Sequence, residues 1–122
     1  MRLLICGSRD WTDGEKILHE LATLQCVDLV IEGEAPGADT LSRRAAEQLG
    51  IPVLPFPADW EKHGRAAGPL RNQRMLDEGR PDQVLAFTDD LNSSRGTAVM
   101  VACARRAGVP VHLISHTKER NL

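Results

Sequence analysis

The sequence predicts an α/β protein: a doubly wound parallel sheet of about five strands with helices on both faces. Three observations lead there. Short, nearly continuous apolar runs alternate with amphipathic segments along the chain, as strands covered on both faces do. Glycines and polar clusters punctuate the ends of those runs, where turns belong. The chain has 122 residues, of which 42% are hydrophobic and 26% charged. That is enough for a single domain, 1–122, with its own core. Right-handed crossovers make such a sheet doubly wound, and the expected strand order is 3-2-1-4-5.

The elements follow in order. Leu3–Cys6 is an apolar run too short for a buried helix and is stopped by Gly7, hence the first strand. Trp11 to Gln25 carries Ile17, Leu18, Leu21, Ala22 and Leu24 at helical spacing, with Thr12 or Asp13 as N-cap. Val27–Gly33 is the second strand. The helix after it presents Ala38, Leu41, Ala45, Ala46 and Leu49 on one face and ends at Gly50. Ile51–Phe56 is the third strand, whose prolines suit an edge or strand ends. Pro57 to Pro69 shows no periodicity and is expected to be a long loop of functional length. Leu70 to Glu78 is a helix and Asp82–Phe87 the fourth strand. A polar loop, "TDDLNSSRG", leads to a helix from Thr97 to Ala107, ended by Gly108. Val109–Ile114 is the fifth strand, and 115–122 a polar tail.

Charge and composition exclude several classes. A net charge of −2 with both signs interspersed argues against nucleic acid as a partner, since binding it needs a broad basic footprint. Cys6, Cys26 and Cys103 have neither disulfide nor metal-ligand spacing and read as small core residues of a reducing compartment. No apolar run approaches the ~20 residues that span a bilayer, and the N-terminal stretch lacks the pattern of a signal peptide. The expectation is a cytoplasmic protein with no membrane segment, metal site or cofactor.

Polar and glycine residues gather at three strand-to-helix junctions: "GSRDW" (7–11), "GEAPGAD" (33–39) and "TDDLNSSRGT" (88–97). In the expected topology these follow neighbouring strands and converge at the switch between strands one and four, where such sheets bind ligands. Helix N-termini expose unpaired N–H groups, and glycines let backbone approach an oxyanion. Ser8, Ser93, Ser94 and Thr97 offer hydroxyls, and Arg9 or Arg95 bidentate charge. Asp39 suits a ribose hydroxyl or simply the helix dipole. Trp11 fits a packing role, whereas Trp60 is open between packing and stacking on a base. Neither GxGxxG nor GxxxxGK[ST] is present.

Taken together, "GSRDW", "EGEAPGAD", "PADWEKHGRAAGPLRNQRM" and "RGT" resemble the SLOG superfamily, the Rossmann-like group named for the DprA/Smf and LOG proteins, and within it the YspA/YpsA-related branch. The resemblance spans nearly the whole chain. It implies a pocket for a nucleotide or nucleotide-derived ligand formed by Gly7, Ser8, Arg9, Gly33, Gly37, Ala38, Asp39, Arg71, Asn72, Gly96 and Thr97. It also implies a homo-oligomer. In this reading Arg71 reaches toward phosphate and Asn72 toward ribose or base. The 57–69 loop closes over the ligand, with Gly64 and Gly68 giving it freedom to move. LOG proteins cleave N-glycosidic bonds of nucleotides with a PGGxGTxxE motif. Here "SSRGTAVMV" keeps Gly96–Thr97 but lacks the paired glycines and the glutamate. A binding module that senses or sequesters its ligand is therefore the first expectation and a nucleotide N-glycoside hydrolase the second. A DNA-processing partner resembling DprA is the third.

Overall fold

The computed structural model describes residues 1–116; most of the polar tail, 117–122, lies outside the described residues. The strands β1 (Arg2–Gly7), β2 (Leu29–Glu32), β3 (Val53–Pro55), β4 (Gln83–Phe87) and β5 (Val111–Ile114) form one sheet in the order β3-β2-β1-β4-β5. Every neighbouring pair is parallel. The expected topology is therefore present, with the switch between β1 and β4.

β1 lies at the centre because it is apolar on both faces. Leu3 and Ile5 pack with Ile17, Leu21, Ala38 and Ala45, side chains of α1 (Gly14–Thr23) and α2 (Ala38–Gln48). Leu4 and Cys6 point the other way, onto Met75 and Met100 of α4 (Ala67–Asp77) and α5 (Arg95–Arg106). The alternation of side chains along a strand thus divides one apolar run between two cores. β3 is an edge strand, so Pro52 and Pro55 remove no ladder bond from the sheet interior.

The structure departs from the sequence reading in four places. Helix α1 begins at Gly14, not Trp11, because Asp13 caps it, its Oδ1 accepting the Lys16 N–H at 3.0 Å. The 57–69 segment is mostly helical: Asp59 caps the one-turn helix α3 (Trp60–His63), and a 3-10 turn, Gly64–Ala66, runs into α4. Proline disguised this, yet Pro69 sits in the first turn of α4, where a helix has no N–H bond to lose. Gly68 is accordingly no hinge. It lies buried in α4 against Trp60. Finally, only Cys6 of the three cysteines is buried; Cys26 is exposed and Cys103 partly so.

Trp11 has the packing role expected of it. It is 4% exposed, meets Phe87 edge-on at 5.6 Å and donates its indole N–H to the Asp13 carbonyl at 2.9 Å. His116, at the start of the tail, stacks on its other face at 4.2 Å. That ring also lies 3.1 Å from carboxylate oxygens of Asp13 and Asp89.

Gly7 allows β1, β4 and α2 to meet. A Cβ there would overlap the Phe87 carbonyl oxygen and stand 2.7 Å from the Ala38 Cβ. Gly7→Ala is expected to destabilise the fold by about 1–3 kcal/mol, the usual cost of overpacking, measured by urea denaturation. Unchanged stability would mean that the junction has slack.

Candidate functional site

A cleft of about 630 Å³ opens at the carboxyl ends of the strands, beside the β1/β4 switch. The first loop brings Gly7, Ser8, Arg9 and Asp10 to it, the second Ala35 and Asp39, and the third Ser93 to Thr97. The far wall comes from the α3–α4 region, with Trp60, Arg65, Arg71 and Asn72, while Met75 and Met100 give it an apolar part. Of the residues expected at the site, Gly7, Ser8, Arg9, Asp39, Arg71, Asn72, Gly96 and Thr97 line this cleft.

Gly33, Gly37 and Ala38 do not line it; they hold the loops that do. Gly37 has φ +77, and a Cβ there would collide with the carbonyl oxygens of Ser8 and Arg9. Only glycine combines that conformation with that approach. Ala38 donates its N–H to the Ser8 carbonyl at 3.1 Å. Gly33 donates its N–H to Asp39 and offers its carbonyl to Arg71 Nη1.

The third loop meets the first through hydroxyls. Ser8 Oγ lies 2.7 Å from Thr88 Oγ1 and 2.6 Å from Ser94 Oγ, and the last two are 3.0 Å apart. Ser94 is the N-cap residue of α5, yet its side chain caps no N–H of that helix. The hydroxyl that would ordinarily do so is engaged with Ser8 and Thr88. The first-turn amides of a twelve-residue helix are thus left without a side-chain cap where Arg95, Gly96 and Thr97 line the cleft. A Cβ at Gly96 would meet nothing within 4 Å.

Charge at the site is unbalanced toward positive. Arg9, Arg65, Arg71 and Arg95 line the cleft against two carboxylates, Asp10 and Asp39. Arg71 is fixed by its bond to the Gly33 carbonyl and by Nε donating to Asn72 Oδ1 at 2.9 Å. Asn72 in turn donates to the Gly96 carbonyl at 3.4 Å, joining α4 to the start of α5. Burial lowers the Arg71 pKa, with the neighbouring Asp39 charge opposing that.

Asp39 is the buried carboxyl of the cleft. It is 6% exposed, and its Oδ2 accepts the N–H groups of Gly33 and Ala35, each at 3.1 Å. Burial pushes its pKa up to about 6; the buried Glu32 adds to the rise, while the two backbone bonds and Arg71 oppose it. Glu32 is itself raised by burial and held by Arg43 at 3.1 Å and by the Glu34 N–H at 2.8 Å. Cys6, at the cleft's edge, has its thiol pushed well up by burial and by Asp39, which leaves it protonated and a poor nucleophile.

Arg65, Met75 and Met100 carried no signal for the site in the sequence. Arg65 stood in an apparently structureless segment, and the methionines read as core. Trp60 stands at the cleft half exposed. Among the described residues no cluster of three or more metal-ligand side chains occurs, and no helix is long and apolar enough to cross a membrane.

The chain has relatives among known proteins. The model of a family described as YspA, cpYpsA-related SLOG matches residues 1–63. The gene 61 protein of Mycobacterium phage D29 is 40% identical over 119 residues, covering 90% of this chain and 93% of that protein. The family match includes the first two loops, and the phage relative extends the likeness over most of the chain.

The raised Asp39 pKa has a sign that can be tested. A carboxyl that binds its proton more tightly when folded stabilises the fold below its unfolded pKa of 3.8, and that contribution is lost as pH rises to about 6. Relative to Asp39→Asn, the wild type should lose on the order of 3 kcal/mol across that interval, read from urea midpoints at pH 3.5 to 7. Parallel profiles would mean that Asp39 titrates normally.

Proposed function

We propose, for a chain that belongs to the YspA, cpYpsA-related SLOG family, that the cleft binds a nucleotide or a nucleotide-derived small molecule and that the protein acts as a sensor or sequestering module. The observation that carries this reading is the uncapped N-terminus of α5 facing the cleft, with Ser94 drawn away to Ser8 and Thr88. Unpaired N–H groups and the helix dipole make that end a place for an anionic group. Arg65, Arg71 and Arg95 line the same cleft and suit a phosphate oxyanion through bidentate hydrogen bonds. The apolar part of the wall, including Met75, Val99 and Met100, accommodates the rest of an organic phosphate.

One observation favours a second reading, hydrolysis of a nucleotide N-glycosidic bond. Asp39 lines the cleft with a pKa near 6, and among the described residues its Oδ1 accepts no hydrogen bond. A carboxyl poised near neutrality can exchange a proton with a leaving base or an attacking water. The residues that follow Thr97 in α5 (Ala98, Val99, Met100 and Val101) supply no carboxylate, so Asp39 would have to act in place of the LOG glutamate. Release of free base from a nucleoside monophosphate, abolished in Asp39→Asn, would establish this reading; intact nucleotide after prolonged incubation would remove it.

The binding proposal is tested by melting temperature in the presence of nucleoside mono-, di- and triphosphates, dinucleotides and inorganic phosphate. A ligand at ~100 times its Kd should add about 2.7 kcal/mol, a shift of several degrees. Gly96→Val supplies the control for position. Its side chain enters open space, so its stability should stay within about 0.5 kcal/mol of wild type while the ligand-induced shift falls at least by half. A full shift in Gly96→Val would place the ligand elsewhere.

A further inference from the structure

The α3–α4 wall of the cleft carries a feature that phosphate binding does not use. Trp60 is 50% exposed, the largest aromatic surface that the described residues leave open. It belongs to a four-residue helix whose start is fixed by Asp59, with the Asp59 Oδ1 accepting the Lys62 N–H at 3.1 Å. Its indole rests against α4 at Gly68, where an added Cβ would come within 3.4 Å of the ring's Cη2. An edge of the ring thus lies near a buried glycine while the side chain contributes to the cleft.

Arg9, from the opposite side of the cleft, places its guanidinium carbon 6.0 Å from the ring centroid. That distance is the outer limit of a productive cation–π contact. Among the described residues Arg9 has no ion pair or side-chain hydrogen bond that would hold it there. A loosely held planar cation facing an exposed indole is suited to rearrange around a third flat group, because guanidinium and indole each stack on π-faces.

We infer that Trp60, with Arg9 opposite it, is the platform on which the cleft stacks the aromatic base of its ligand. This rests on the nucleotide reading above and adds what that reading leaves open: the ligand must carry a planar ring, and Trp60 selects for it. A sugar phosphate without a base fills only the α5 end. Stacking distinguishes ring from no ring far better than one base from another, since every base offers a π-face.

The test compares wild type, Trp60→Ala and Trp60→Phe by isothermal calorimetry with AMP, GMP, CMP, UMP and ribose 5-phosphate. Wild type should bind at least one nucleotide about 5- to 150-fold more tightly than ribose 5-phosphate, the range that one stacked base supplies. Trp60→Ala should erase that preference while leaving ribose 5-phosphate affinity unchanged, and Trp60→Phe should keep most of it. Trp60 is exposed and outside both cores, so the variants should fold. A preference undiminished in Trp60→Ala, or equal binding of nucleotide and ribose 5-phosphate by wild type, overturns this inference while the phosphate end of the cleft stands. Absence of binding by all five overturns both.

Discussion

The arrangement depends on how closely the backbone at Gly7 and Ser8 can be approached from three sides. Ser8 donates its N–H to the Phe87 carbonyl at 2.9 Å and accepts at its own carbonyl from Trp11 at 3.2 Å and Ala38 at 3.1 Å. One residue thus links the end of β4, the turn into α1 and the start of α2. Side chains larger than hydrogen at positions 7 and 37 would force these segments apart. The Ser8 hydroxyl then reaches Thr88 and Ser94, bringing in the loop before α5. Backbone fixes the loops and side chains adjust what they present. The cleft is the space left between segments that cannot come closer.

Buried charge beneath that cleft works by mutual restraint. Glu32 and Asp39 are both nearly inaccessible, and two carboxylates withdrawn from water would ordinarily remain protonated. Arg43 satisfies Glu32, and backbone N–H groups satisfy one oxygen of Asp39. Arg71 contributes charge to Asp39 without a direct bond to it, being held by a backbone carbonyl and by Asn72. Its orientation is therefore set by backbone and by a neutral amide. A guanidinium positioned in that way keeps capacity for a further anion, which a closed ion pair would not.

Strand order and the convergence of three loops were legible in the sequence because both follow from repeating patterns. The runs Leu3–Cys6 and Asp82–Phe87 name central strands, with Gly7 marking the turn after the first and the polar "TDDLNSSRG" the loop after the second. Arg71 and Asn72 of the far wall were marked by the resemblance, but the wall's helical build and Arg65 were not legible, since nothing periodic marks a one-turn helix followed by a 3-10 turn. Trp60 becomes a wall residue only through Asp59, whose capping bond sets α3, and through the early start of α4 at Ala67. Gly33, Gly37 and Ala38 carry the same kind of signal as Gly7 and Gly96, yet they stand behind the cleft surface. Sequence marks where backbone approaches closely; whether the approaching group belongs to the protein or to a ligand is settled by tertiary contacts.

The place of β1 at the centre of the sheet has a consequence for the making of the protein. β1 is synthesised first, but its neighbour β4 ends at Phe87, some eighty residues later. Until that segment leaves the ribosome, β2 can cover one edge of β1 while the other offers open backbone groups and an apolar strand to any passing chain. Parallel pairings of such sequence separation form slowly. The nascent chain therefore passes through an interval of exposure to aggregation, and the stacking of His116 on Trp11, which joins segments near the two ends of the described chain, waits until residue 116 has been made.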